Sequence, residues 1–417
     1  MKPAKSTIDS ANCGPKLSSP SNHPTEPQLR VTHIITRLIV GGAQENTLAT
    51  VRGLRTRHHV DVELIAGPTT GPEGSLEPEA ASLSVPFQIV PTLVRPVHPW
   101  LDLQAWRTLT RHLTQRRPDI VHTHSGKAGF LGRLAARRAR VPIIVHTIHG
   151  PSFGPFQSSL ANTAFRTAEK IAARATSHFI SVAEAMTRQY LAAGIGRPGQ
   201  YTRVFSGFNL APFLEARPRP DLRHQLGLRE EHFVVGKIAR LFALKGHHDL
   251  IAAAVPIVAR SPHIRFLLVG DGAWRHPLQQ AIARLNLTPY FVFAGLVPPS
   301  AVPDLIALMD VLVHLSRREG LPRALPQAMA AGRPLLAYNL DGAPEVCRDN
   351  ETGFLIAPND QAGLVSRLLQ LQNDPSLRRR LGARGQALAQ AEFSDAKMAD
   401  SIHHLYLALR DPAAQPR

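Results

Sequence analysis

The chain has little cysteine, few lysines, few aromatic residues and no long apolar run. Only Cys13 and Cys347 occur in 417 residues. They lie far apart, so a disulfide framework is excluded, two thiols alone cannot make a zinc site, and a reducing compartment is expected. No stretch of about 18 apolar residues occurs, so no membrane-spanning helix is expected. Residues 1–29 hold no apolar segment that would make a secretory leader. Rich in Ser, Pro and Asn, they are expected to form a disordered tail. Aromatic residues make up 6% of the chain and do not interleave with basic ones, so there is no stacking platform for single-stranded nucleic acid. Nucleic acid is therefore not an expected partner. Also missing are G-x-G-x-x-G, a P-loop, H-E-x-x-H, G-x-S-x-G and any D-x-D pair. With them go the usual marks of nicotinamide binding, of a zinc protease and of a metal-bridged diphosphate. No metal and no cofactor is expected. Acid is short as well: 31 acidic residues stand against 48 basic ones, most of them Arg, for a formal charge of +17. Such a balance implies an acidic partner, either a phosphorylated small molecule or an anionic membrane.

What is present is alternation. The length favours two domains. From residue 31, short apolar runs alternate with segments of helical period. "VTHIITRLIVGGAQ" reads as a strand ending in a Gly pair, then a helix; "HVDVELIAG", "PFQIVPTL", "DIVHTHS", "VPIIVHTIHG" and "HFISVA" read as strands with helices between them. "LAPFLEARPRPDLRHQLGL", rich in Pro and Arg, reads as a connector. The pattern then restarts with "HFVVGKIARL" and runs through "HIRFLLVGDG", "YFVFAGLV", "VLVHLSRREG", "RPLLAYNL" and "TGFLIAPND". Strand–helix–strand repeats point to α/β architecture: two Rossmann-like, doubly wound domains facing a cleft. The expected boundaries are 30–208 for the first domain and 209–390 for the second. A helix within 391–417 is expected to cross back to the first.

In such sheets ligands sit beyond the C-terminal strand ends, so the residues that follow each strand are the candidates. Gly41 and Gly42 permit close backbone approach at a helix start, although a tight turn explains a Gly pair equally well. His124, Ser125 and Lys127 follow the fourth strand; His122 points into the sheet by alternation and reads as structural. His149 precedes Gly150 at the end of the fifth strand. Arg240 and Lys245 share one strand-to-helix loop, where both can face a diphosphate. Asp271 lies in a turn and can cap the following helix. In "SRREGLPRALPQAMAAG", Glu319 ends a strand, and Gly320, Leu321 and Pro322 lead into a helix whose free N–H groups suit a ligand oxygen. Gln327 follows eight positions after Glu319. "GAPE" adds Glu345 at a second such turn.

These strings, in order, resemble family 4 glycosyltransferases, retaining enzymes of the GT-B architecture. The resemblance covers about residues 31–400. It rests on "GGAQ", "HTHSGKAGFLGRLAA", "HTIHG", "IARLFALKG", "VGDG", "FAGLV", "EGLPRALPQAMAAG" and "DGAPEV…ETGFLI". It implies an acceptor in the first half, a nucleotide-sugar donor in the second, and transfer with retention of configuration. Arg240 and Lys245 match the basic pair on the donor diphosphate. Glu319 matches the first Glu of the E-x7-E motif, which holds donor-sugar hydroxyls, and Gly320 and Leu321 match backbone positions close by. Gln327 stands where the second Glu usually meets the ribose, a departure that replaces a carboxylate by an amide. His149 matches the histidine near the reaction centre, and Gly41 and Gly42 the first-half glycine loop. The resemblance further implies a UDP-sugar, with GDP second, and a glycan or lipid-linked acceptor in polysaccharide, lipopolysaccharide or glycolipid synthesis.

The helix over residues 128–140 is read as basic, presenting Arg133, Arg137, Arg138 and Arg140 to anionic lipid. The expected location is the cytoplasm, peripheral on the inner face of the membrane. Rival readings are a nucleotide-sugar 2-epimerase, which would act without an acceptor, and a nucleotide-sugar-binding protein with degenerate catalysis, motivated by Gln327.

Overall fold

The computed structural model describes residues 28–411 except 72, 73, 125 and 155. The expected tail up to residue 27, with Cys13, and the candidate Ser125 lie outside the described residues. The first half runs β1 (Arg30–Ile35), α1 (Gly42–His58), β2 (Asp61–Ala66), α2 (Glu77–Ala81), β3 (Phe87–Ile89), α3 (Pro99–Arg116), β4 (Ile120–His124), α4 (Gly126–Arg138), β5 (Ile143–Ile148), α5 (Ser159–Ala173), β6 (His178–Ser181), α6 (Glu184–Ala192) and β7 (Tyr201–Arg203). Two short helices follow, α7 (Ala211–Glu215) and α8 (Pro220–Gln225). The second half runs β8 (Phe233–Ile238), α9 (His247–Arg260), β9 (Ile264–Val269), α10 (Arg275–Arg284), β10 (Phe291–Gly295), α11 (Val302–Ala307), β11 (Val311–His314), α12 (Ala324–Ala330), β12 (Leu335–Tyr338) and β13 (Gly353–Ile356). It closes with α13 (Gln361–Asn373), α14 (Pro375–Glu392) and α15 (Asp395–Arg410).

Every strand pairs parallel to its neighbours. The seven-stranded sheet has the order β3-β2-β1-β4-β5-β6-β7, and the six-stranded sheet β10-β9-β8-β11-β12-β13. Parallel neighbours need a crossover, which is usually a helix; between β12 and β13 it is a loop with a single 3-10 turn, Ala343–Glu345. Both orders reverse once, between β1 and β4 and between β8 and β11. Ligands of open α/β sheets bind outside the strand ends at such a reversal.

The core is continuous across the halves. Phe153, Ala183 and Phe208 from the first half share an apolar cluster with Leu321, Ala328 and Ala343 from the second. α15 returns to the first half, where Met398, Ile402 and Tyr406 pack with Val31, Leu48 and Leu54. Each large apolar side chain buried this way contributes about 1.5–3 kcal/mol. Arg52–Asp395 at 3.2 Å and Arg57–Asp400 at 3.0 Å flank that contact.

Three expectations change. The connector contains α7 and α8, because Pro212 and Pro220 stand in the first helical turn, where a missing N–H is harmless. β1 stops at Ile35 well short of the Gly pair. The residues between turn to the segment after β2: Leu38 N–H donates to Thr69 Oγ1 at 3.0 Å, and Ile39 bridges Ser75. Finally, Arg133 is not on a solvent face. It is fully buried and binds Glu169 of α5 at 2.7 Å, so α4 turns that part of its basic face onto α5. Among the described residues no helix is long and apolar enough to cross a membrane.

Candidate active site

The loop between β8 and α9 contains two left-handed residues, Leu244 and Gly246, each with φ 65°. A Cβ on Gly246 would overlap the Leu315 carbonyl oxygen, so both the space and the backbone demand glycine there. The Leu244 carbonyl accepts the Arg317 N–H at 2.7 Å and the Ser316 hydroxyl at 3.2 Å. These bonds stitch the loop to the segment after β11 and turn Lys245 toward Glu319. Lys245 Nζ donates to Glu319 Oε1 at 2.5 Å. The Glu319 N–H donates to Asp341 Oδ2 at 2.8 Å, which holds the turn. Burial alone would raise the Glu319 carboxyl. The charge of Lys245, together with His314 and hydrogen bonds from Lys245 and Ser316, outweighs burial and holds it below the usual carboxylate range. Glu319 is therefore an acceptor-only carboxylate that keeps about a fifth of its side chain open.

Beneath this pair, at the reversal of the second sheet, lie two residues that the strand pattern conceals. Lys237 on β8 is 2% exposed. Burial, and then the charge of Lys245, push its amine down to about 7, while Asp249 and Glu319 pull the other way. His314 ends β11 with Nε2 at 3.6 Å from Glu319 Oε1 and no hydrogen-bond partner among the described residues. Burial pushes its imidazole down to about 3. The only signal for either is a polar residue inside an apolar run, "VVGKI" and "VLVH".

The two halves meet at backbone level. A Cβ on Gly320 would overlap the His149 carbonyl oxygen, and one on Gly342 would overlap that of Gly320. Arg323, which precedes α12, pairs with Glu45 at 3.1 Å and donates to the Gly42 carbonyl at 3.3 Å. Arg318 donates to the Pro151 carbonyl and lies over the Phe156 ring at 3.3 Å. Close approaches thus join Gly42 to Arg323, His149 to Gly320 and Lys245 to Glu319 where the halves meet, with Gly41 beside Gly42 at the start of α1. Leu321 and Pro322 lie buried behind Gly320, and Gln327 is half-buried on α12. Arg240 is exposed on the Lys245 loop, its guanidinium 5.3 Å from the centre of the Phe242 ring.

Other candidates are engaged elsewhere. Glu345 accepts the N–H groups of Glu184 and Ala185 at 2.9 and 3.0 Å, so it caps α6 across the halves. Asp271 accepts the Gly272 N–H at 2.7 Å and pairs with Arg275 at 2.7 Å. It braces its own loop instead of capping α10, whose N-cap is Trp274. Lys127 binds Asp102 at 2.5 Å and the Pro96 carbonyl, which ties α4 to the start of α3. His124 is 1% exposed and lies behind His149, Nδ1 to Nε2 at 3.0 Å. Burial, with Arg323 assisting, pushes His149 down to about 3, so it is neutral at pH 7.

Comparison with known proteins follows the same division. Residues 41–207 match a family model described as glycosyl transferase 4-like domain, and residues 218–388 one described as glycosyl transferases group 1. The chain is similar to the putative glycosyltransferase EpsD of Bacillus subtilis (strain 168), with 33% identity over 320 residues, 74% of this chain and 82% of that protein. It is also similar to the UDP-Gal:alpha-D-GlcNAc-diphosphoundecaprenol alpha-1,3-galactosyltransferase of Escherichia coli, with 28% identity over 360 residues, 85% and 90% of the two chains. Among solved structures, HepE of Anabaena in complex with UDP-glucose superposes with a TM-score of 0.77 at 24% identity, covering 91% of this chain and all of that one. That likeness shows the GT-B fold.

Proposed function

The chain belongs to the group 1 glycosyl transferases, the retaining family 4 enzymes of GT-B fold, and from that membership we propose that it moves a sugar from a UDP-sugar to a lipid-linked glycan acceptor. The observation that carries this reading is the Lys245–Glu319 contact at 2.5 Å, set beside the crossing of Gly320 and His149. A donor needs a cation at its diphosphate and a carboxylate at its sugar hydroxyls, and this pair offers both. In this reading Lys245 and Arg240 face the diphosphate and Glu319 accepts sugar hydroxyls. Gly41 and Gly42 approach the phosphates and the acceptor, and Gln327 meets the ribose. The donor C–O bond to phosphate breaks while the acceptor oxygen bonds to the same face of the sugar. The acceptor proton passes to the leaving phosphate. Lys245 opposes the charge that grows there. The relative from Escherichia coli, named for UDP-Gal and a diphosphoundecaprenol acceptor, supports the choice of donor and acceptor class, as does the UDP-glucose complex of HepE.

A lipid-linked acceptor puts the enzyme at a membrane surface, on the cytoplasmic side. α5 leaves Leu160 exposed at its start and Phe165 and Ile171 further along, with Lys170 and Arg174 at its C-terminal end, and Val97 and Trp100 are exposed at the start of α3. Apolar residues beside cations suit an anionic interface.

The test is thermal shift with UDP, GDP and their sugars, followed by transfer of labelled sugar to lipid extracts. Glu319→Ala and Lys245→Ala should each lower turnover by about 10²–10³-fold while the fold survives. Full activity in both refutes the site. Binding without turnover on any acceptor would favour a binding protein, and a changed sugar without acceptor would favour an epimerase.

A further inference from the structure

We propose that Tyr406, acting through His33 and His124, leaves the Nδ1 of His149 without a proton, so that His149 meets the sugars only as a hydrogen-bond acceptor. Its role in transfer rests on the reading above; its existence rests on the geometry of the row and the burial of its rings. The β1–β4 register sets His33 opposite His122 and Ile35 opposite His124, at the reversal of the first sheet. From there a row of contacts runs to the cleft. The Tyr406 hydroxyl is 2.6 Å from His122 Nδ1 and 3.4 Å from His33 Nε2. His33 Nδ1 is 2.9 Å from His124 Nε2, and His124 Nδ1 is 3.0 Å from His149 Nε2. His122 Nε2 is 2.6 Å from Thr147 Oγ1. Every ring nitrogen of His33, His122 and His124 is therefore engaged.

A neutral imidazole carries one N–H and one bare nitrogen. In a row of neutral rings, the choice made at one end dictates the choice at the other. These rings are neutral: burial pushes His33 and His149 down to about 3, and His122 and His124 well below the usual histidine range. The phenol sets the direction. Hydroxyl donors bond at about 2.5–3.0 Å, so the Tyr406 O–H goes to His122 Nδ1 and not to His33. His122 Nε2–H then donates to Thr147. The phenol oxygen presents a lone pair to His33 Nε2 across 3.4 Å, longer than an ordinary N–H···O bond; a proton on that nitrogen is the favoured arrangement, since a bare nitrogen would set lone pair against lone pair. His33 Nδ1 is thus bare and accepts from His124 Nε2–H; His124 Nδ1 is bare and accepts from His149 Nε2–H. His149 Nδ1 is left bare, and no hydrogen bond from a described residue reaches it. It can receive a sugar hydroxyl but cannot donate to a phosphate oxygen. Charge on the leaving group therefore falls to Lys245 and Arg240. His33, His124 and Tyr406 are positioning residues, which act through His149.

His33, His122 and His124 have nitrogens within 4.8 Å of one another, as a three-histidine metal site would. A metal would sit about 2.0–2.1 Å from each nitrogen and would have to break the bonds just described, so the geometry favours the hydrogen-bonded row.

The experiment is long-range proton–nitrogen correlation NMR on the full chain with ring-15N histidine, the His149 signals being identified by their loss in His149→Gln. The expected result is a proton on Nε2 and a bare Nδ1. Tyr406→Phe keeps the ring and removes the hydroxyl; it should mix or reverse the His149 tautomers. It should also lower kcat, by about 10–100-fold if the loss matches that of removing the outer partner of a metal-bound histidine, with KM for the donor changing less. If Tyr406→Phe fails to fold, His33→Gln breaks the row from the other side and must move the same signals. A proton on Nδ1 in the wild type overturns the proposal, as does an unchanged tautomer in the variant. So does one equivalent of divalent metal found in the purified protein by elemental analysis. The NMR result stands whether or not transfer is detected, so failure of this inference and failure of the transferase reading are told apart.

Discussion

Lys237 carries a charge that the fold disfavours. Burial has moved its amine from an ordinary 10.5 to about 7. Between those values the unfolded chain holds the proton and the folded chain does not, so stability rises with pH across that window. Below pH 7 the cost of a buried cation is present in full, roughly 1.4 kcal/mol per pKa unit. Lys237→Met should therefore raise the melting temperature most at pH 6, less at pH 9, and not at all near pH 10.5. Equal gains at pH 6 and pH 9 in thermal melts would contradict the buried-cation account. Gln327 poses a second question at this scale. A carboxylate accepts a ribose hydroxyl more strongly than an amide by about 1 kcal/mol. Gln327→Glu should tighten UDP several-fold in calorimetry without changing which UDP-sugar is preferred; unchanged affinity removes Gln327 from the ribose. Lys245, Glu319 and the glycines were legible in the sequence because they interrupt it at strand ends. Lys237, His314 and His33 were not, because a polar residue inside a strand gains its meaning from what the neighbouring strand brings.

At the scale of elements, strands and crossover helices could be read from periodicity, since most parallel neighbours are joined by a helix. The face a helix shows could not. Arg133 looks like a solvent residue until Glu169 of α5 is found 2.7 Å away. That ion pair turns the middle of α4 inward and makes α5 the outer layer, with Leu160 84% exposed. Arg137, Arg138 and Arg140 stay exposed at and just beyond the end of α4, but the apolar side chains that the proposed lipid contact needs lie on α5. Leu160→Glu combined with Phe165→Glu should abolish co-sedimentation with anionic phospholipid vesicles while leaving UDP binding unchanged. Wild-type protein that fails to sediment at low salt would remove the membrane proposal altogether.

At the scale of the whole molecule, the doubly wound order of both sheets follows from the alternation of runs, whereas the meeting of the halves depends on contacts far apart in sequence. Glu345 illustrates this: a turn residue by pattern, it caps a helix some 160 positions earlier. α15 is the longest such return. Met398, Ile402 and Tyr406 complete a core whose other members were made before the entire second half. A ribosome adds about 5–20 residues per second, so the emerging first half spends on the order of ten seconds or more with an apolar groove beside α1 uncovered. A chain ending at residue 394 should retain that groove, bind a hydrophobic dye and be cleaved rapidly within α1; protease resistance equal to that of the full chain would show that α15 is dispensable. In the cell, the synthesis of α15 thus sets the moment at which the groove beside α1 can close.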